Sequence, residues 1–479
     1  MRNGKPMMRS SAEALIYRLF IDKFAGKGEP CIGVEIEMPV VNLACRAVEP
    51  GFIAAMLDLL KQRFAFTTTR FDQNGFPIEV VNPQQDAFSF ETTFNTIEFA
   101  MAKKPGIDQI AANFYSYVKA LQELAHEHHH LICGMGINPY AAYADSKPLN
   151  SPAMLAKTEF LENLTSHHDG EIFHAFSAAC QTHLDVELTQ LPDLLNLLGK
   201  LAFVDAMLFA NSLPFIYAGN RKFTARLPAS LQREMAHPTL CFRDILWRLC
   251  EAPNVRPYDR DYASLEEVVK HLLDLKIFII SDGSSGFKAI PPVRFADYIA
   301  RDRWSEADLS CFRSLEPVAV SRHGTVEIRQ TCTQPLADSF APAAFYTGIA
   351  ENITVASELV HDFWQDNQIN ISNSQLRRQA VSREMTIPAD RLQEFINNLL
   401  AIAAAGLKKR KRGEDKYLGR FLKPDHELKN PAQRQLDLLQ EGWSIQEIMS
   451  ACSALDESGN SIWTNDMNRG KGEADGLPV

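Results

Sequence analysis

The sequence of 479 residues contains no CxxC pair, no GxGxxG or GxxxxGK[ST] loop, no internal repeat and no low-complexity linker in its body. No window reaches the ~18 uninterrupted apolar residues that a membrane-spanning helix needs. Positive charge is also short: 49 Lys and Arg stand against 59 Asp and Glu, a net charge of −10. Each absence excludes something. Without CxxC, and with nine cysteines set mostly in apolar runs, reduced buried thiols are expected rather than a disulfide framework or a zinc site, though one regulatory disulfide stays open. Without a Gly-rich loop, dinucleotide and P-loop folds are disfavoured. Without a basic field, nucleic acid is not an expected partner. Arg18 and Lys23 interrupt the first apolar stretch, so no secretory signal is expected and the chain is read as soluble and cytoplasmic.

What is present is a chain 46% hydrophobic and 23% charged, ordinary for a globular protein and long enough for one large domain or two smaller ones. Residues 11–26 and 51–64 read as helices. Pro105 to His130 is the clearest amphipathic helix, with Ile107, Ile110, Phe114, Val118, Leu121 and Ala125 at helical spacing. Residues 153–164 and a long segment from Leu191 to Asn211 read as further helices. Short strands are expected at Ile32–Val41, in FPIEVV and FNTIEFAM, in LICGMGINP, in ACQTHLDVEL, in IFII and in GTVEIRQT. After Pro342 the pattern is helical to about Cys452, ahead of a polar tail read as disordered. Strands first and helices last argue for an α+β fold rather than alternating βαβ units.

The informative pattern is in the strands, where side chains alternate faces. In GVEIEMPV, Glu35 and Glu37 oppose Val34, Ile36 and Met38. In CQTHLDVE, Gln181, His183, Asp185 and Glu187 share one face. Glu98 opposes Ile97 and Phe99, and Glu327 and Arg329 oppose Val326 and Ile328. Such polar faces either meet water or converge on a cavity. Converging carboxylates repel and need a cation among them. Oxygen ligands suit magnesium, and an arginine on the same face suits a phosphoryl oxygen.

In this order, GVEIEMPV, ETTFNTIEFA, LICGMGINP, CQTHLDV, FANSLPF and HGTVEIR resemble the glutamate–cysteine ligases, most closely their plant-type and related bacterial branches. GNRKFTAR is similar to the family's downstream arginine stretch, and RGEDKYLGRFL with EGWSIQEIM to its C-terminal helices. The resemblance runs from about residue 30 to 452 and rests on the ordered set, not on one motif. It implies a glutamine-synthetase-like cup: a curved, mostly antiparallel sheet surrounded by helices, with a helical C-terminal region. It also implies an ATP-dependent ligase joining the γ-carboxylate of L-glutamate to the amine of L-cysteine, or of another amine, through a γ-glutamyl phosphate. By similarity, Glu35, Glu37, Glu98 and Glu327 would ligate Mg2+. Gln181, His183 and Arg329 would meet the nucleotide, Arg329 and Glu327 would serve the chemistry, and Arg226 and Asn211 would bind substrate. Residues 1–400 would be the catalytic domain and 401–479 a helical extension, in a monomer or homodimer. The sequence departs from the pattern in three places. His183 stands where plant-type members tend to have asparagine, ETTFNTIEFA lacks their paired glycines, and Leu213 is an extra residue within FANSLPF. These bear on the acceptor and the branch, not on Glu35, Glu37, Glu327 or Arg329. A non-catalytic nucleotide- or metal-binding relative, and a phosphotransferase that stops at the phosphorylated substrate, are the other readings.

Five further features are read as structural. His126, His128, His129 and His130 lie at a helix end and face solvent, without HExxH spacing. His167 and His168 fall in a loop. The run from Lys408 to Arg412 is a solvated helix end, or alternatively a rim for anionic substrates. SDGSSG is a hairpin turn rather than a phosphate cradle, and Cys180 is core.

Overall fold

The central element is β1, Ile32–Asn42, whose Val34, Ile36 and Met38 are buried while Glu35 and Glu37 border open space. The computed structural model describes residues 10–139, 148–164, 177–213, 239–249, 253–255, 259–283, 286–301, 304–423, 428–455 and 462–463. Along one edge β1 pairs with β5, Thr96–Lys104. Along the other it pairs first with β7, Cys180–Leu184, over Ile32–Ile36, and then with β6, His130–Ile132, over Val40–Asn42. Beyond β5 lie β4 (Ala87–Phe90), β3 (Pro77–Val81) and β2 (Thr67–Phe71). Beyond β7 lie β11 (Val326–Ile328) and β10 (Val318–Val320). All pairings are antiparallel, and the sheet is open, ending at β10 and β2. The α+β class with an antiparallel sheet and surrounding helices is therefore the one found.

Helix Ile107–Glu127 covers the apolar face. Phe114 meets Phe99 of β5 at 5.9 Å between ring centroids and Phe340 at 5.5 Å. The helix is shorter than expected at both ends. His129 takes a positive φ of 53°, which ends the helix, and His130 passes into β6. His130 is fully buried against Phe52, with ring centroids 4.4 Å apart, and its Nδ1 meets the His128 carbonyl at 2.6 Å. Only His126 and His129 of that cluster are exposed. The long helix expected over Leu191–Asn211 is two, Leu191–Lys200 and Ala202–Phe209, broken at Leu201.

Strands β8, Lys276–Ser281, and β9, Phe287–Arg294, form a separate hairpin, as the SDGSSG turn suggested, with Ser284 and Ser285 outside the described residues. Phe278 of this hairpin stacks on Phe160 of helix Pro152–Leu164 with centroids 4.4 Å apart. His167 and His168 also lie outside the described residues.

From Ala341 to Cys452 the described residues are mostly helical. The boundary expected at residue 400 falls inside helix Ala389–Arg410. That helix packs on Ala341–Ala350 backbone to backbone: a Cβ on Gly348 would overlap the Ala403 carbonyl, and one on Gly406 the Gly348 carbonyl. Leu418, Phe421 and Ala432 share one buried cluster with the strands. Arg410 is not a solvated residue of the basic run, since it binds buried Glu414 at 2.7 Å and the Pro105 carbonyl at 2.6 Å. All described cysteines are free. No helix among the described residues is long and apolar enough to cross a membrane.

Candidate active site

The register sets the polar face in rows. Glu37 of β1 stands opposite Glu98 of β5, which stands opposite Ser89 of β4, then Glu79 of β3 and Arg70 of β2. Glu35 is opposite Gln181 of β7. His183 is flanked by Gly33 on one side and by Glu327 of β11 on the other. A side chain at Gly33 would come within 3.1 Å of the His183 Cβ, so glycine there leaves the imidazole its place. The polar face borders a cavity of about 350 Å3, with Glu35, Glu37, Glu98, Gln181 and Arg329 among its walls.

At one end Glu35, His183 and Glu327 offer ligand atoms all within 4.8 Å of one another. His183 Nε2 lies 3.2 Å from Glu35 Oε1, and its Nδ1 meets Thr325 Oγ1 at 3.0 Å. Arg329 donates from Nη1 to Glu327. Burial pushes the Glu35 carboxyl up, but the hydrogen bond and charge of His183, with Arg329 and His323, outweigh it and hold Glu35 down at about 2. Burial pulls His183 down, and Glu35 and Glu327 more than reverse that, so its pKa is raised. For Arg329, Glu327, Glu35 and Glu37 likewise overcome burial and raise it. This end is a set of mutually charged groups whose donors, two carboxylates and an imidazole, fit a divalent cation.

The next row behaves differently. Burial, and then the charge of Glu91, push Glu37 up to about 7 against Arg243, Arg329 and the Ala179 N–H. Burial raises Glu98 well above the ordinary carboxyl range, reinforced by Glu91, Glu35 and Glu37. Carboxyls crowded this way call for positive charge between them.

The residues expected at the site divide. Glu35, Glu37, Glu98, Gln181 and Arg329 line the cavity, and His183 and Glu327 adjoin it through Glu35 and Arg329. Asn211 does not reach it. Asn211 is fully buried, its Nδ2 donating to the carbonyls of Gly134 at 2.9 Å and Thr333 at 2.7 Å, with Gln435 on its Oδ1. Its amide joins chain segments, which leaves no donor for a substrate. Asp185 and Glu187 leave the face as well, because β7 ends at Leu184. Asp185 pairs with Lys27 and accepts from Cys31 N at 3.0 Å, and Glu187 precedes a short 3-10 turn. Arg226 lies outside the described residues. Cys180 is core: burial pushes its thiol up to about 12.

Sequence reasoning missed Glu91, Lys157, Arg243 and Arg313, which also line the cavity. Glu91 was within reach, since it opens ETTFNTIEFA. Arg243 is buried, donates from Nη1 to the Gln330 carbonyl at 3.2 Å, and carried no local signal.

No protein-family model matches the sequence, and no curated protein matches it. Among solved structures the chain is similar to the glutamate–cysteine ligase of Francisella tularensis in complex with AMP, at 12% identity over 89% of this chain and 88% of that one, with a TM-score of 0.48. It is also similar to a bifunctional glutathione synthetase from Pasteurella multocida, at 12% identity over 92% of this chain and 54% of that one, with a TM-score of 0.47. A third is the ligase PafA in complex with the ubiquitin-like protein Pup, at 11% identity over 89% of this chain and 79% of that one, with a TM-score of 0.33.

Proposed function

We propose that this protein is an ATP-dependent carboxylate–amine ligase that joins the γ-carboxylate of L-glutamate to the amine of L-cysteine through a γ-glutamyl phosphate, releasing ADP and phosphate. The observation that carries this reading is the meeting of Glu35, His183 and Glu327 beside Arg329, at one end of a cavity walled by further carboxylates. Two anions, a carboxylate and ATP, react only where their charge is neutralised. Mg2+ held by Glu35, His183 and Glu327, with Glu37 and Glu98 in the next row, would supply positive charge to the phosphate oxygens. The planar fork of Arg329 suits two oxygens of the transferring phosphoryl group. Gln181 lines the cavity and holds Glu37, its Nε2 donating at 2.9 Å, while its buried Oε1 has no partner among the described residues.

A second reading keeps the site and changes the acceptor amine. It is favoured by His183, which stands where plant-type members tend to have asparagine. Magnesium–ATP with L-glutamate, with and without L-cysteine, tests both. Cysteine-stimulated ADP release with a γ-glutamylcysteine mass supports the first. Glutamate-dependent release that another amine stimulates supports the second. No ADP release under any condition would overturn the ligase reading in favour of a non-catalytic binder.

A further inference from the structure

The roof over the sheet carries a cation that the chemistry above does not use. Helix Pro152–Leu164 turns Met154, Lys157 and Leu161 toward the cavity, positions three and four apart on one helical face. Phe160 ties this helix to the β8–β9 hairpin through Phe278. Among the described residues, neither the Lys157 ammonium nor the Glu91 carboxylate has a hydrogen-bond or ion-pair partner within reach. A half-buried ammonium with no carboxylate in direct contact is costly unless a ligand supplies one.

The surroundings say what that ligand carries. Burial lowers the Lys157 pKa, and the strongest charges upon it are Glu91 and then Arg313, ahead of Arg329 and Glu37. Two cations beside one carboxylate complement an amino-acid zwitterion, whose carboxylate and ammonium sit a few ångströms apart. The phosphates and the reacting carboxylate of the donor belong at the other wall, where Arg329 meets Glu327 and both Arg329 and Arg243 act on Glu37. The space under the roof is left for the second amino acid. Met154, Leu161 and Phe278 give it an apolar wall for a side chain.

We propose that Lys157, with Arg313 at the cavity rim, is the specificity-determining cation of the acceptor subsite: it binds the α-carboxylate of an acceptor amino acid, while Glu91 faces the ammonium. The acceptor is then an α-amino acid and not a simple amine. This rests on the ligase reading above.

The test compares binding of amino acids with their decarboxylated amines, L-cysteine with cysteamine and L-tyrosine with tyramine, by calorimetry on the full chain. It is run with magnesium, glutamate and a non-hydrolysable ATP analogue present, alongside steady-state turnover. In the wild type, one amino acid should bind about 10–100-fold more tightly than its amine, the scale of a charge-assisted contact. Lys157→Met should erase most of that preference, Lys157→Arg should restore part of it, and Arg313→Met should reduce it, with the glutamate KM unmoved. Thermal melts check that the variants fold. A preference unchanged in Lys157→Met, a rise in glutamate KM in place of the acceptor effect, or no binding of either member by the wild type would overturn the proposal. Preferential binding of an amino acid by a protein that releases no ADP would uphold the subsite and sink the ligase reading instead.

Discussion

Gln181 reaches diagonally across the β7–β1 ladder to Glu37, its Nε2 donating to Oε1 at 2.9 Å, while the Ala179 N–H donates to Oε2 at 2.8 Å. Both oxygens of this carboxyl are engaged, yet its pKa is raised to about 7. Burial and the charge of Glu91 outweigh Arg243, Arg329 and the Ala179 N–H. Glu37 is thus held in place in a neighbourhood that wants positive charge.

Stability should therefore depend on pH. Folding raises the pKa of Glu37 from 4.5 to about 7. A group raised in this way contributes its stability in full below its unfolded value and loses it as pH climbs through the folded one. In metal-free buffer the loss should come between about pH 4.5 and 7, amounting to at most roughly 3 kcal/mol. Denaturation midpoints at pH 5 and pH 8 check this. Glu37→Gln should flatten the decline, and added Mg2+ should stabilise the wild type more at pH 8. Parallel slopes for wild type and variant would assign the decline to another group.

Glu35→Gln and Glu327→Gln should each cut turnover by about 100-fold or more, the scale set by losing one preorganised charge at a reacting phosphoryl group. Weaker magnesium–ATP binding should accompany the loss. Calorimetric titration with magnesium and nucleotide measures it, and wild-type affinity in both variants would remove these residues from the cation site.

Arg329→Lys should lower kcat more than it raises the KM for ATP. Lysine keeps the charge but not the two-pronged geometry. A fall of roughly 10²-fold in kcat is expected if the fork acts on developing charge. An equal change in kcat/KM and in ATP affinity would mean that Arg329 holds only the ground state.

Asn211→Ala should damage the fold rather than the substrate site. It leaves the carbonyls of Gly134 and Thr333 without their donor, at a cost of about 1–3 kcal/mol for each buried group left unsatisfied. Urea denaturation should show the loss, while the KM values for glutamate and acceptor stay within about twofold in the folded fraction. A large selective rise in either KM would return Asn211 to substrate binding.

Gly348→Ala should destabilise the whole chain, because the added methyl overlaps the Ala403 carbonyl in a fully buried helix contact. Overpacking of this kind costs about 1–3 kcal/mol. One cooperative transition, shifted as a whole, is expected. Separate transitions for the parts before and after residue 400 would favour the two-domain division instead.

The alternation of polar and apolar residues in GVEIEMPV, CQTHL and VEI determined, without any structure, which side chains share a face. Period two is a property of the extended backbone, so Glu35 with Glu37, Gln181 with His183, and Glu327 with Arg329 were each legible as the polar face of one strand. The end of such a face was less so: nothing local marked Leu184 as the last ladder residue, and Asp185 turned instead to Lys27. Which carboxylates meet was decided only by register between strands far apart in sequence, which set His183 beside both Gly33 and Glu327. The burial of His130 against Phe52 and of Asn211 among carbonyls, and the delivery of Lys157 and Arg243 to the cavity, likewise depend on segments that come together only when the chain is folded. Local pattern chooses a face, and long-range packing chooses what that face encounters.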